Sequence, residues 1–203
     1  MKKKIVSFLV SGNGSNFQAV AEKILKGHIY AEPGIIISSS PDAFALKRAK
    51  KLGIKSIAIE PKNFKSKDDY EAEMIKHLDL CATDLIVAAG YMRILSPKFI
   101  QKFRNRIINI HPSLLPAFPG KNAQQQALDY GVKVTGCTTH FIDEGVDTGS
   151  IIMQSAVSID VNDNINTLSA KILKEEHKIL INSVKLFCEE RLIIENRRVF
   201  EKK

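Results

Sequence analysis

The sequence lacks tryptophan, and its four tyrosines and ten phenylalanines make up only 7% of 203 residues. Proteins that read single-stranded RNA stack bases on aromatic side chains set among basic ones. No such interleaving is visible here, so nucleic acid is not an expected partner. Cysteines are also scarce. Cys81, Cys137 and Cys188 are odd in number and far apart, with no C-x-x-C pair. This argues against a disulfide framework and a zinc site, and points to a reducing, cytoplasmic compartment. No apolar run approaches the roughly 18 residues that a membrane span needs. The N-terminal M-K-K-K-I-V-S-F-L-V has a short apolar part that runs directly into S-G-N-G-S-N, without a small-residue cleavage pattern. It therefore reads as a first β-strand and not as a leader.

What the chain does have is positive charge. Lys and Arg number 30 and Asp and Glu 22, for a net +8. Part of this surplus lies at Lys2 to Lys4, Arg197, Arg198, Lys202 and Lys203, where solvated termini account for it. The remainder suits a small anionic ligand such as a phosphate or a carboxylate. Hydrophobic residues at 44% and charged residues at 26% are ordinary for a globular chain long enough to bury its own core.

Short β-branched runs alternate with segments of helical period. Strands are expected at Lys4–Val10, Gly34–Ser38, Lys55–Glu60, Asp84–Ala89 and Arg106–Ile110. Helices are expected between them at Ser15–Gly27, Asp42–Leu52, Lys67–Leu80 and Pro97–Phe103. The later part changes character. Val134–Ile142 and Ser150–Val157 read as consecutive strands, about Asp163–Glu189 as a long helix, and Leu192–Phe200 as a terminal hairpin. The fold class is therefore α/β. A Rossmann-like, mixed but mostly parallel sheet has helices on both faces and antiparallel strands in the C-terminal half. In such sheets ligands bind at the carboxyl ends of the parallel strands.

The first strand runs into Ser11, Gly12, Asn13, Gly14, Ser15 and Asn16. The glycines allow close backbone approach, Ser15 or Asn16 can cap the following helix, and the free N–H groups at its start attract an anion. Phe17 stands where a dinucleotide fingerprint needs glycine, and no Gly-Lys-Ser/Thr follows. A phosphate monoester fits better than a pyrophosphate.

Three of the seven prolines fall within N-I-H-P-S-L-L-P-A-F-P-G, residues 109–120. Alternation along a strand puts Asn109 and His111 on one face and Ile110 on the other. Pro112 keeps His111 extended and so holds its aim. A histidine of this kind needs a carboxylate to orient it and hold its proton. Asp143, Glu144 and Asp147, in the loop after Phe141, are the candidates. Met92, Ile94 and Leu95 in G-Y-M-R-I-L are unusually apolar for a strand-end loop, as is L-L-P-A-F-P. Such loops line either the core or the pocket of a flat ligand.

Taken together, S-G-N-G-S-N, G-Y-M-R-I-L, I-N-I-H-P-S-L-L-P-A-F-P-G, V-T-G-C-T-T-H-F-I-D-E and D-T-G resemble the phosphoribosylglycinamide formyltransferase family, within the folate-dependent formyltransferase superfamily. The resemblance extends over essentially the whole chain. It implies a single domain, residues 1–203, with a nucleotide-binding-like half at 1–105 and a catalytic and folate-binding half at 106–203. Its reaction moves a formyl group from 10-formyltetrahydrofolate, as co-substrate, to the amine of glycinamide ribonucleotide in purine biosynthesis, without a metal.

The resemblance implies that Asn109, His111 and Asp147 form a catalytic trio, with His140 as a further site histidine. Gly12, Asn13, Gly14, Ser15 and Asn16 would hold the ribonucleotide phosphate, and Glu176 the glycinamide end. Lys67, Met92, Arg93, Ile94 and Leu95 would meet the folate, together with Asn109, Ile142, Asp143, Glu144 and Asp147. Lys67 stands where the family often has Arg, and Asn122 where many members have His. The expected partners are small molecules only, with no membrane, and the protein is expected to be a monomer or homodimer. A formyltetrahydrofolate hydrolase would carry an additional N-terminal regulatory domain, and a methionyl-tRNA formyltransferase a C-terminal RNA-binding extension. The sequence starts directly at its first strand and stops soon after its long helix, which matches neither.

Overall fold

The computed structural model describes residues 2–202; Met1 and Lys203, the last of the terminal lysines, lie outside the described residues. The chain divides into two compact units, Met1–Ile108 and Asn109–Lys203.

In the first unit, strands β1 (Lys4–Val10), β2 (Ala31–Ser38), β3 (Ser56–Ala58), β4 (Leu85–Ala88) and the start of β5 (Ile107–His111) run in the order β3-β2-β1-β4-β5. β1 pairs in parallel with both β2 and β4, and β2 with β3. The helices are α1 (Ser15–Leu25), α2 (Phe44–Lys51), α3 (Lys67–Leu80) and α4 (Pro97–Lys102), with a single 3-10 turn at Pro61–Asn63. The central strands are apolar on both faces, as parallel strands buried on both sides must be. Phe8, Leu9, Ile35, Ile36, Ile37, Leu85 and Ile86 are all fully buried, and Phe8 meets Phe17 of α1 edge-on at 4.9 Å.

β2 starts three residues earlier than the sequence suggests. Pro33 and Gly34 mask its first half, because both residues normally weaken a strand. The register slips between Val6 and Phe8 of β1, and this slip accommodates them. At Gly34 a Cβ would stand 2.4 Å from Ser7 Oγ, so any side chain there would have to displace Ser7. The expected helix at Asp42 begins instead at Phe44, and the one ending at Gly27 ends at Leu25, with Gly27 left-handed just beyond.

In the second unit the end of β5 is followed in the sheet by β6 (Val134–Phe141), β7 (Ile151–Ser158), β9 (Arg198–Glu201) and β8 (Leu192–Glu195). β6 and β7 pair antiparallel, as do β8 and β9. β7 and β9 pair in parallel, so parallel pairing in the first part and two antiparallel pairs in the C-terminal part give the mixed, mostly parallel α/β sheet that the sequence implies. Helix α5 (Ala123–Tyr130) was not expected. Its sequence, A-Q-Q-Q-A-L-D-Y, buries only Ala123 and Ala127, and it starts on a left-handed Asn122 with no side-chain cap. It therefore shows neither an apolar stripe nor a capping signal.

Helix α6 (Ile165–Cys188) does carry its start signal. The Asn164 side chain accepts from the Asn166 and Thr167 N–H groups, and Thr167 Oγ1 accepts from the Asn164 N–H, a reciprocal capping box. Replacing Asn164 with Ala leaves those N–H groups uncapped and should cost about 1 kcal/mol. Thermal unfolding should show a Tm lower by roughly 2–4 °C. An unchanged Tm would mean that the box adds nothing to helix stability.

Candidate functional site

The site in the second unit is built around the last residues of β5. Ile110 is buried on one side of the strand, and Asn109 and His111 share the other. Asn109 Nδ2 lies 3.1 Å from His140 Nε2 on β6, and His140 Nδ1 lies 2.9 Å from the Phe141 carbonyl oxygen. A carbonyl only accepts, so the His140 proton sits on Nδ1 and Nε2 accepts from Asn109. Burial holds the His140 imidazole below its ordinary range, against the Phe141 bond and the Asp147 charge. A neutral His140 fixes which way the Asn109 amide faces. One Nδ2 proton goes to the ring, and the other can meet a bound oxygen.

His111 Nδ1 lies 3.2 Å from Asp147 Oδ2, and its Nε2 lies 2.8 Å from the Phe118 carbonyl oxygen. Both ring nitrogens face acceptors, so as an imidazolium the ring donates at both ends. Asp147 Oδ2 also accepts the Gly120 N–H at 2.8 Å, and Oδ1 is 3.7 Å from His140 Nε2. The structure thus brings Asn109, His111, His140 and Asp147 together. Of the three candidate acids, Asp147 is the one that reaches His111. Asp143 ties its own loop, accepting from the Gly145 N–H and from Thr148 Oγ1 at 2.6 Å, and Glu144 is exposed.

Two backbone outliers hold this arrangement. Phe118 at φ 52° and Asp147 at φ 55° are both left-handed and neither is glycine. Such conformations are uncommon for bulky residues, cost on the order of 1–3 kcal/mol and concentrate at functional sites. The Phe118 ring meets Tyr130 of α5 edge-on at 5.9 Å, giving the unexpected helix a role in fixing Phe118. Gly149 closes the loop where a Cβ would fall 1.7 Å from the Phe141 oxygen. Leu115–Pro116 is a cis peptide, and Leu115 is buried.

Glu176 is buried on α6. Burial, followed by the charges of Glu176 and Glu175, pushes the Cys137 thiol up to about 12, which leaves it inert as a nucleophile. Among the described residues no group of three or more His, Cys, Asp or Glu is placed to hold a metal, and no helix is long and apolar enough to cross a membrane.

In the first unit the expected phosphate loop differs in one respect. Neither Ser15 nor Asn16 caps α1 with its side chain. Gly14 occupies the N-cap at φ 75°, and no side-chain cap bond is made. Glycine has no side-chain oxygen to accept from the first helical N–H groups.

Ser11, which the sequence did not single out, joins three strand ends. Its N–H donates to Gly90 O, its Oγ accepts from the Met92 N–H, and it meets Ser39 Oγ at 2.8 Å. The loop from Gly90 to Ser96 is also pinned from α3. Tyr70 and Tyr91 hydroxyls meet at 2.8 Å, and burial raises both phenols above their ordinary range. Glu71, almost fully buried, accepts the Ser96 N–H at 2.8 Å and bonds the Ser96 hydroxyl. Lys67 Nζ lies 4.0 Å from Glu71 Oε1, and the Arg93 guanidinium is 5.8 Å from the Tyr70 ring. Of the apolar loop residues Leu95 is core, whereas Met92 and Ile94 are each 68% exposed. The expected loop set is therefore split between support and surface.

The sequence model of the formyl transferase family matches residues 3–184. Bacillus subtilis phosphoribosylglycinamide formyltransferase is 44% identical over 176 residues, 87% of this chain and 90% of that protein. The trifunctional purine biosynthetic protein adenosine-3 of Drosophila melanogaster is 46% identical over 178 residues, but the chain spans only 13% of its length. The crystal structure of glycinamide ribonucleotide transformylase 1 from Symbiobacterium toebii superposes with a TM-score of 0.97 at 42% identity, covering all of this chain and 95% of that one.

The protonation of His140 can be checked through stability. Its folded pKa is depressed below the ordinary 6.5, so the unfolded chain takes up a proton first as the pH falls. The contribution of a neutral His140 is present above pH 6.5 and lost as pH drops from there through the folded pKa. His177, whose pKa is also lowered by burial, acts in the same direction. The urea midpoint should fall between pH 7.5 and 5.5, and less steeply in His140→Asn. Parallel pH curves for the two proteins would show that His140 is not buried as a neutral ring.

Proposed function

The chain belongs to the formyl transferase family, and from that premise we propose that it transfers the formyl group of 10-formyltetrahydrofolate to the amine of N1-(5-phosphoribosyl)glycinamide. The products are formylglycinamide ribonucleotide and tetrahydrofolate, a step of de novo purine synthesis. The observation that carries this reading is the array of Asn109, His140, His111 and Asp147, in which one amide and one ring are each locked into a defined donor orientation.

The reaction asks three things of the protein. It must hold an amine against a formyl carbon, stabilise the oxygen as it gains charge, and move a proton from the attacking amine to the departing N10 nitrogen. The free Asn109 N–H suits the second task, since a fixed donor at a developing oxyanion contributes about 3–4 kcal/mol. The His111 ring, oriented by Asp147 and aimed by Pro112, suits the third once its Nε2 exchanges the Phe118 carbonyl for the reacting groups. Asp147 acts through His111, as its orienting partner and counter-charge. The scheme uses no metal.

Binding is assigned to the loops. Gly12 to Asn16 take the phosphate through backbone N–H groups at an uncapped helix start. Met92 and Ile94, exposed on an arch pinned at both ends, supply apolar surface for a pterin ring, with Arg93 and Lys67 as cations for the folate carboxylates. In the second unit, Ile142, Asp143 and Glu144 are assigned to the folate and Glu176 to the glycinamide end. Residues 1–203 act as one formyltransferase domain. Its free thiols suit a reducing cytoplasm.

In His111→Ala kcat should fall by a factor of about 10² to 10⁴, the usual contribution of a positioned acid–base group. Asp147→Asn should lower it in the same direction while circular dichroism stays unchanged. The measurement is loss of formyltetrahydrofolate absorbance that depends on added glycinamide ribonucleotide. Near-normal turnover in both variants would remove the assignment, and a wild-type rate independent of the ribonucleotide would remove the reaction itself.

A further inference from the structure

Arg48 on α2 has no part in the reaction as described, yet it bonds both the main chain and the side chain of Asn13 in the Gly12–Asn16 loop. Its Nε donates to the Asn13 carbonyl oxygen at 2.9 Å, and its Nη2 donates to Asn13 Oδ1 at 2.7 Å. Its Nη1 bonds Gln18 Oε1 on α1, and Gln18 Nε2 in turn donates to Glu22. The guanidinium also lies over the Phe44 ring, 4.8 Å from its centre. The three oxygens it bonds are neutral, so these contacts hold the group in place without cancelling its charge.

The rest of α2 supports the same loop. The Ala45 N–H donates to the Gly12 oxygen at 3.1 Å. At Gly14 a Cβ would lie 2.5 Å from Ala45 Cβ and 2.9 Å from Ala45 Cα, so helix and loop are in direct contact. One residue of the loop thus rests on the helix backbone, and its neighbour is gripped at both side chain and main chain by one planar fork.

We propose that Arg48 is the positioning residue of the phosphate loop, its guanidinium fixing the Asn13 peptide and amide so that the N–H groups of residues 12–16 are preset for a phosphate monoester. This rests on the ribonucleotide reading of that loop. Without the clamp the loop must be ordered at the moment of binding, and that ordering weakens affinity. The fork matters as well as the charge. Lysine keeps the cation but cannot reach two oxygens in one plane.

The test compares wild type, Arg48→Lys and Arg48→Met. In Arg48→Met the KM for glycinamide ribonucleotide should rise about tenfold, the scale of one charge-assisted hydrogen bond. The KM for formyltetrahydrofolate and kcat should stay unchanged, and Arg48→Lys should recover only part of the loss. In parallel, inorganic phosphate should raise the Tm of wild type and raise it much less in Arg48→Met. A lower Tm in Arg48→Met with an unchanged ribonucleotide KM would overturn the proposal, leaving Arg48 a structural residue. So would full recovery by lysine, or a phosphate response equal in all three proteins. Failure of the ribonucleotide reading has a separate signature, a wild type without ribonucleotide-dependent turnover. In that case the phosphate response of wild type against Arg48→Met still decides the role of Arg48.

Discussion

The candidate site of the second unit is organised around the Asp147 carboxylate. Its Oδ2 takes both the His111 ring and the Gly120 N–H, and its Oδ1 faces His140. One side chain thereby joins the end of β5, the proline-rich loop after it, and the β6–β7 connection. A carboxylate at such a junction is stabilising only because donors surround it; a buried charge without them is costly. The same donors leave His111 with one orientation, and the neighbouring, neutral His140 leaves Asn109 with one.

The left-handed backbone at Phe118 and Asp147 follows from this demand. Phe118 must turn its carbonyl toward His111 Nε2, and Asp147 must turn its side chain back toward a strand that precedes it by 36 residues. Both residues accept a conformation that glycine would enter freely. Asp147 has to supply a carboxylate, which glycine lacks. At Phe118 the ring packs against Tyr130 while the carbonyl does the orienting, so side chain and main chain serve separate ends. In the proposed reaction this strain maintains a preorganised site whose donors need not be recruited as charge develops.

Much of the fold was legible because its strands and helices carry strong periodic signals. The expected bounds of α3 match the structure at both ends, and α6 announced itself through its length. Elements were missed or trimmed where local chemistry ran against the tertiary outcome. β2 hid behind Pro33 and Gly34, and α5 offered three glutamines and no apolar stripe. In the site, Asn109 and His111 could be read from alternation and from Pro112. The choice among Asp143, Glu144 and Asp147 could not be made from residue types, because a solvated turn is acidic too. The contributions of Phe118 and Gly120 pass through the main chain, so no side-chain pattern could have revealed them.

Ser11 and Arg48 extend the same lesson to the first unit. Each lies next to a conspicuous glycine-rich segment, and each was invisible in sequence because its partners are backbone atoms or residues tens of positions away. Ser11 spends its hydroxyl on the Met92 N–H and on Ser39. The loop after β4 is thereby tied to the end of β1 at one side and to α3 through Glu71 at the other. A glycine-rich loop is permissive by nature and has to be restrained from outside before it can present its N–H groups in a fixed array. The glycines provide room for a ligand, and Ser11, Ala45 and Arg48 remove the freedom that comes with that room. In the proposed function, the fit of this loop to a phosphate monoester therefore depends on α2 as well as on the loop itself.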